Sequence, residues 1–326
     1  MQDLIKSLET WYVKNKRDLP WRKTQDPYKI LVSEVMLQQT TVRVVIPYYE
    51  RFISEFPKAK TLANADIEKV LSLWSGLGYY SRARNLQKAM IEVVRRKHFP
   101  NNFDALLELP GVGPYTAAAV ASMAFGEPAA AIDGNVIRVI SRLFNIADDI
   151  STKKGQTKIK KYAQSLLNPK NSGLHNQALM ELGATICVPK NPSCMLCPWM
   201  KSCRSLKEGT INLRPVKKKM RKQDPWLWTL RLIKKDGKIA LVKNNDGVPW
   251  LKNTWVLPGK AIALKKSHRL KIDFCHSITH HKISVRVLNG RPDDLKGQKV
   301  VWIDPKKGLK VGVSSIVTKA LKAVSE

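Results

Sequence analysis

The sequence predicts an all-helical amino-terminal domain followed by a smaller α/β domain. Three observations carry this. Apolar residues recur at helical spacing from the start to about residue 205, with no convincing strand alternation; the composition then breaks at a basic run that carries a proline; and beyond Trp226 short β-rich runs take over. Length agrees, since 326 residues at about 150 per domain give two.

The opening stretch MQDLIKSLETWYVKNK has no apolar segment of the kind that directs secretion. No uncharged apolar run in the chain approaches the roughly 18 residues that a bilayer span needs. The expectation is a soluble, cytoplasmic, monomeric protein, nucleoid-associated if bacterial, with no membrane partner. Next, ILVSEVMLQQ (Ile30–Gln39) is an apolar helix interrupted by Glu34. Helical spacing continues through Asp66–Leu77 and Ala83–Val94. In Ala105–Phe125 a helix ends at Leu109, Pro110-Gly111-Val112-Gly113 forms a tight turn, and an alanine-rich helix starts near Pro114. Gly111 and Gly113 allow close backbone approach, and the amides of the following helix start are placed to hold an anion. Asp133 then opens a helix with its periodic face over Val136–Ile146.

Cys187, Cys194, Cys197 and Cys203 follow in a C-x6-C-x2-C-x5-C ladder. Two disulfides within one short loop of a chain without a secretory signal would be out of place. Four thiolates suit zinc or an iron–sulfur cluster, and spacing alone leaves both open. The fifth cysteine, Cys275, is expected to be an ordinary small core residue. The domains are placed at 1–207 and 225–326, joined over 208–224 by a basic linker containing INLRPVKKKMRKQ. In the second domain, WLWTLRLIKKDGKIALVKN is two β-rich runs joined at Asp236-Gly237. HKISVRVLNG and VWIDP are further strands, and Ser314–Val324 is a closing helix.

A net charge of +31, from 57 Lys and Arg against 26 Asp and Glu, points to a polyanionic partner. Each basic side chain set on a phosphate releases condensed counterions, so nucleic acid is favoured. Against that background two acids stand out. Burial in an apolar helix would raise the pKa of Glu34 and keep it protonated. The helix start at Asp133 would favour its ionised form. On residue physics alone, Glu34 as a helix-face partner of an arginine and Asp133 as a plain N-cap are the simpler readings.

LPGVGPYTA, AIDGNVIRVISRL and the cysteine ladder together resemble the helix–hairpin–helix base-excision DNA glycosylases. Within these, LPWR (Leu19–Arg22), SEVMLQQT (Ser33–Thr40, with Gln38 and Gln39), GLGYYSRARNL (Gly76–Leu86) and NQALMELGA (Asn176–Ala184) are similar to the adenine DNA glycosylases. The resemblance implies a [4Fe–4S] cluster on the four cysteines. It also implies double-stranded DNA containing adenine opposite 8-oxoguanine or guanine as the partner. Glu34 would protonate the adenine, Asp133 would stabilise the sugar intermediate, and Asn135 would help to orient it. Tyr115 stands where strand-cleaving relatives carry a Schiff-base lysine, which implies base removal alone. Trp21, Arg22 and Glu181 would line the adenine pocket. Gln39 and Tyr79 would enter the duplex, with a solvent-facing helix residue and a core aromatic as the plain alternatives. Gly111 and Gly113 would meet phosphate, and the cysteine loop would set Lys190, Lys201 and Arg204 against DNA.

The resemblance further implies a Nudix-like second domain that reads the lesion. TWVLPGK (Thr254–Lys260) matches that domain's W-x-x-P-G-G stretch except at Lys260. Asp273 is the one acid between Lys260 and Cys275, too few for the glutamate cluster that nucleotide hydrolysis needs. Ile278-Thr279-His280 stands in place of a Phe-Ser-His lesion-sensing loop.

Overall fold

The computed structural model describes residues 1–217, 224–244, 250–251, 254–264, 272–278, 281–305 and 313–322. Thr279 and His280 lie outside them. Twelve helices precede the sheets: α1 (Gln2–Asn15), α2 (Pro27–Leu37), α3 (Val42–Glu55), α4 (Ala59–Ala63), α5 (Ile67–Leu73), α6 (Ser81–Arg96), α7 (Phe103–Leu107), α8 (Pro114–Phe125), α9 (Gly134–Leu143), α10 (Lys153–Leu166), α11 (Ser172–Thr185) and α12 (Arg204–Lys207). Asp26, Asp66, Asn102, Asp133 and Thr152 each cap a helix by accepting a first-turn amide. These caps satisfy donors that have no partner inside the helix. Among the described residues no helix is long and apolar enough to cross a membrane.

The chain divides into two compact units, Met1–Ala63 with Lys88–Lys219, and Asn64–Gln87 with Met220–Glu326. In the first, α11 packs against α1, α8 and α9, and α2 packs against α3 and α8. Leu8, Val139, Ile140, Leu179, Leu182 and Trp199 share one buried core there. Asn176 acts inside it, its amide donating to Ser122 Oγ and the Ala129 carbonyl while its oxygen accepts from the Ala131 amide. That bonding fixes the segment leading into Asp133.

The second unit holds β1 (Asp224–Leu232), β2 (Lys234–Lys235), β3 (Lys238–Lys243), β4 (Trp255–Val256), β5 (Gly259–Ala263), β6 (Phe274–Ile278), β7 (His281–Asn289), β8 (Val300–Ile303) and α13 (Ser315–Lys322). One sheet runs β5-β1-β7-β6; in the other, β3 pairs with β2, β4 and β8. Asp236 and Gly237 take φ of 48° and 70°, the left-handed pair of a two-residue hairpin turn. Pairing across that turn is short, Lys234–Lys235 with one further bond from the Ala240 amide to the Ile233 carbonyl, because the preceding run enters the other sheet as β1, parallel to β7. Cys275 is exposed, not a core residue: β6 is a sheet edge and alternate residues face out.

The boundary between Lys219 and Met220 falls inside the expected linker, but Asn64–Gln87 also belongs to the second unit. The Tyr80 and Ser75 hydroxyls both donate to the Val313 carbonyl, and Lys243 pairs with Glu68 at 3.1 Å. These partners sit far away in the chain, so the local helical pattern does not disclose them.

Candidate active site and cysteine loop

The first unit contains a cavity of about 680 Å³ walled by α2, α8, α9 and α11. Glu34, Tyr115, Asp133, Asn135, Trp21, Arg22, Gln38, Gln39 and Glu181 all line it, so nine sequence-predicted residues converge on one space. The volume suits a single small ligand.

Glu34 is 4 % exposed in the middle of α2, among Leu31, Val32, Val35 and Met36. Burial pushes its carboxyl up to about 7; the hydrogen bond from Tyr115 and the charge of Arg22 pull the other way, and Asp133 adds to the rise. The Tyr115 hydroxyl donates to Glu34 Oε2 at 2.5 Å and also lies 3.2 Å from Met180 Sδ. Burial, then the two nearby carboxylates, drive the Tyr115 phenol well above its ordinary range, so it remains a donor.

Asp133 caps α9, with Oδ1 accepting from the Val136 amide at 2.7 Å and Oδ2 from Asn135 Nδ2 at 2.8 Å. These bonds lower its pKa as the helix start predicts. Burial outweighs them, so the net direction is upward.

Glu181 is wholly buried on α11 and gripped on both oxygens. Oε1 accepts from the Arg17 amide and Nε at 3.0 and 2.8 Å; Oε2 accepts from the Arg17 and Arg22 guanidiniums, each at 2.7 Å. Burial alone would raise this carboxyl, but the arginine bonds together hold it down at about 2. The site thus pairs a carboxyl poised near neutrality with a fixed anion. Trp21 backs the wall, packed edge-on against Tyr49 at 5.4 Å. Arg17, Gln177 and Met180 line the cavity without having been singled out from the sequence. Gln177 and Met180 lie within the family-matching stretch NQALMELGA, and Arg17 just before LPWR.

Helix α9 links this cavity to the cysteine loop. Arg138 Nη2 donates to Asn135 Oδ1 at 2.7 Å and to the Gly183 carbonyl at 2.8 Å, while its Nε donates to the Cys187 carbonyl at 2.7 Å. One turn on, Arg142 donates to the Val188 and Pro189 carbonyls at 2.7 and 3.0 Å and approaches Cys187 Sγ at 3.4 Å. Cys187, Cys194, Cys197 and Cys203 form no disulfide and line one small cavity with Ile186, Met200, Leu206 and Ile211. Among the described residues no group of three or more His, Cys, Asp or Glu is arranged to hold a metal ion. Burial, reinforced by the neighbouring cysteines, pushes the Cys197 thiol up to about 12. Lys190, Lys201 and Arg204 are exposed around this loop.

Gly111 is left-handed at φ 78°, and Gly113 precedes α8 without a side-chain cap, leaving first-turn amides open. Gln39 is left-handed at φ 57°, and the Gln38 amide meets Thr116 Oγ1 at 3.4 Å. Tyr79, 38 % exposed, belongs to the second unit. There it lines a separate cavity of about 550 Å³ with Leu77, Tyr80, Trp250, Ile278 and His281.

A family model described as the HhH-GPD superfamily of base excision DNA repair proteins matches residues 32–165. The chain is 34% identical over 338 residues to the adenine DNA glycosylase of Buchnera aphidicola subsp. Schizaphis graminum (strain Sg), covering 96% of each. It is 45% identical over 210 residues to the adenine DNA glycosylase of Homo sapiens, covering 61% of this chain and 38% of that one. Of solved structures, a thermostable thymine-DNA glycosylase superposes with a TM-score of 0.58 at 31% identity, covering 63% of this chain and 95% of that one. Endonuclease III in a non-covalent DNA complex gives 0.53 at 24% identity over 64% and 97%, a likeness of fold.

Proposed function

The chain belongs to the adenine DNA glycosylases of the HhH-GPD superfamily and is a DNA glycosylase, and from that premise we propose that it excises adenine mispaired with 8-oxoguanine or guanine in double-stranded DNA and stops at the abasic site. The observation that carries this is the buried Glu34 carboxyl, bonded to Tyr115 in the same cavity as Asp133.

Adenine must leave the base stack before its glycosidic bond can be reached, at a cost of a few kcal/mol. Inside the cavity, Glu34 holds its proton near neutrality and passes it to a ring nitrogen, turning a poor leaving group into a neutral one. As the bond lengthens, positive charge grows on the sugar, and Asp133 supplies the opposing anion. Asn135 keeps the Asp133 carboxylate aimed. Tyr115 anchors Glu34 and, being a phenol, forms no imine with the abasic sugar, which supports base removal without strand cleavage. Glu181, held as an anion with both oxygens already bonded to Arg17 and Arg22, fixes those two arginines in the cavity wall. The exposed Lys190, Lys201 and Arg204, and the open amides after Gly113, supply phosphate contacts.

The four thiols share one cavity without closing on a single ion, and Arg142 at Cys187 Sγ would offset thiolate charge, so the donor chemistry suits a [4Fe–4S] cluster. When bound it supplies a cross-link that orders residues 187–203. In the second unit, the cavity beside Tyr79 and Ile278 is our candidate for the surface that reads the base opposite adenine. Ile278 offers no aromatic face there, and Thr279 and His280 lie outside the described residues.

A single-turnover assay tests the reading on four labelled duplexes: adenine opposite 8-oxoguanine, adenine opposite guanine, thymine opposite guanine, and adenine opposite thymine. Breaks on the two adenine mispairs that need alkali are expected. Breaks without alkali would refute base removal alone. Preference for thymine opposite guanine would favour a thymine glycosylase, the reading to which the solved structure at 31% identity lends weight.

A further inference from the structure

Tyr79 sits in an improbable backbone. Gly76, Gly78 and Tyr79 all have positive φ, 103°, 72° and 48°, and for a tyrosine that conformation is disfavoured. Such a conformation persists only where its surroundings over-determine it. One residue, through side chain and backbone, contributes to that constraint at three points.

Arg82, at the start of α6, grips three successive carbonyls. Its Nη2 donates to Leu77 O at 3.1 Å and to Gly78 O at 3.2 Å, and its backbone amide donates to Tyr79 O at 2.9 Å. Its guanidinium carbon lies 5.5 Å from the Trp74 ring centre and 5.6 Å from that of Tyr79, so the cation bridges a fully buried ring and a half-exposed one. Trp74 Nε1 donates to Gly78 O from the other side at 3.2 Å. Burial lowers the guanidinium to about 10, which leaves it charged at neutral pH. A planar fork with two aromatic faces is what this geometry uses, and an ammonium offers neither.

We propose that Arg82 is a positioning residue for base excision, holding Tyr79 in the orientation in which its ring stacks into the opened duplex. This rests on the reading of Tyr79 as the residue that enters the stack. Free of Arg82, the Tyr79 ring samples other orientations, and the cost is paid each time a base is extruded.

The test is a mutant cycle on the full-length protein with adenine opposite 8-oxoguanine, read by single-turnover excision and by the fluorescence of 2-aminopurine beside the mispair, with thermal melting as a control of folding. Arg82→Ala and Tyr79→Ala are each expected to slow excision and lower the fluorescence rise by about tenfold, the scale of one buried cation–π and hydrogen-bond set. The double variant is expected to be no slower than either, because both changes remove one device. Arg82→Lys, which keeps charge and most bulk, is expected to behave like Arg82→Ala. Equal losses from Arg82→Ala with and without Tyr79 would overturn the proposal and leave the stacking role of Tyr79 intact. A Tyr79→Ala variant at full rate would overturn both, while adenine release in the same assay would still stand for the proposed reaction.

Discussion

Replacing Glu34 by glutamine should kill excision and, at alkaline pH, stabilise the protein. The carboxyl is 4 % exposed and its pKa is raised from 4.5 to about 7. The fold therefore prefers the protonated form. That contribution is fully present below 4.5 and is lost as pH rises through about 7. The size of the loss is on the order of 3 kcal/mol, at 1.36 kcal/mol per tenfold change in proton affinity. Glutamine is neutral at every pH and its side-chain oxygen still accepts from Tyr115, so the variant escapes the loss. Thermal melting of both proteins at pH 5 and pH 8 measures it: the gap between variant and wild type should widen by several degrees at the higher pH. Wild-type excision should fall with a midpoint near 7 over the same range, and the variant should show no excision while binding duplex within a few-fold. Equal melting gaps at the two pH values would refute a carboxyl destabilised by burial. Excision that persisted in the variant would refute the proton donor.

Gly183→Ala should displace Asn135, since an added Cβ would lie 2.6 Å from Asn135 Cβ; a loss of about 1–3 kcal/mol in chemical denaturation with slowed excision is expected. Glu181, held at about 2 by its arginines, contributes stability above its ordinary 4.5 that is lost as pH falls through about 2. Arg17→Ala removes two of its bonds, so the midpoint of acid unfolding, followed by circular dichroism, should move upward. Cys197→Ser should yield protein without visible absorbance and with a lower melting temperature, and a colourless variant of wild-type stability would count against a structural cluster.

The helical unit was legible because its signals are local. Apolar spacing marked α2, α8 and α9, and Asp133 stood at a helix start whose capping geometry it indeed adopts. The cysteine ladder announced itself by spacing, and the four thiols do line one cavity. What escaped depends on partners distant in sequence. Arg17 matters through Glu181 and Arg138 through Cys187 and Gly183, contacts that span 164, 49 and 45 residues. The upward shift of Asp133 escaped for the same reason, since the helix start is local but the burial that outweighs it comes from the surrounding walls. Likewise, the run before Asp236-Gly237 was legible as β-rich, yet nothing within it says that β1 seeks β7 across some fifty residues.

The discontinuous second unit also sets an order of events on the ribosome. Asn64–Gln87 emerges early, carrying Val70, Leu71, Trp74, Leu77 and Tyr80, all buried in the finished protein. Their companions begin at Met220. At synthesis speeds of about 5–20 residues per second, that interval lasts roughly 7 to 26 seconds. Throughout it the nascent chain carries an apolar segment whose unit is still incomplete.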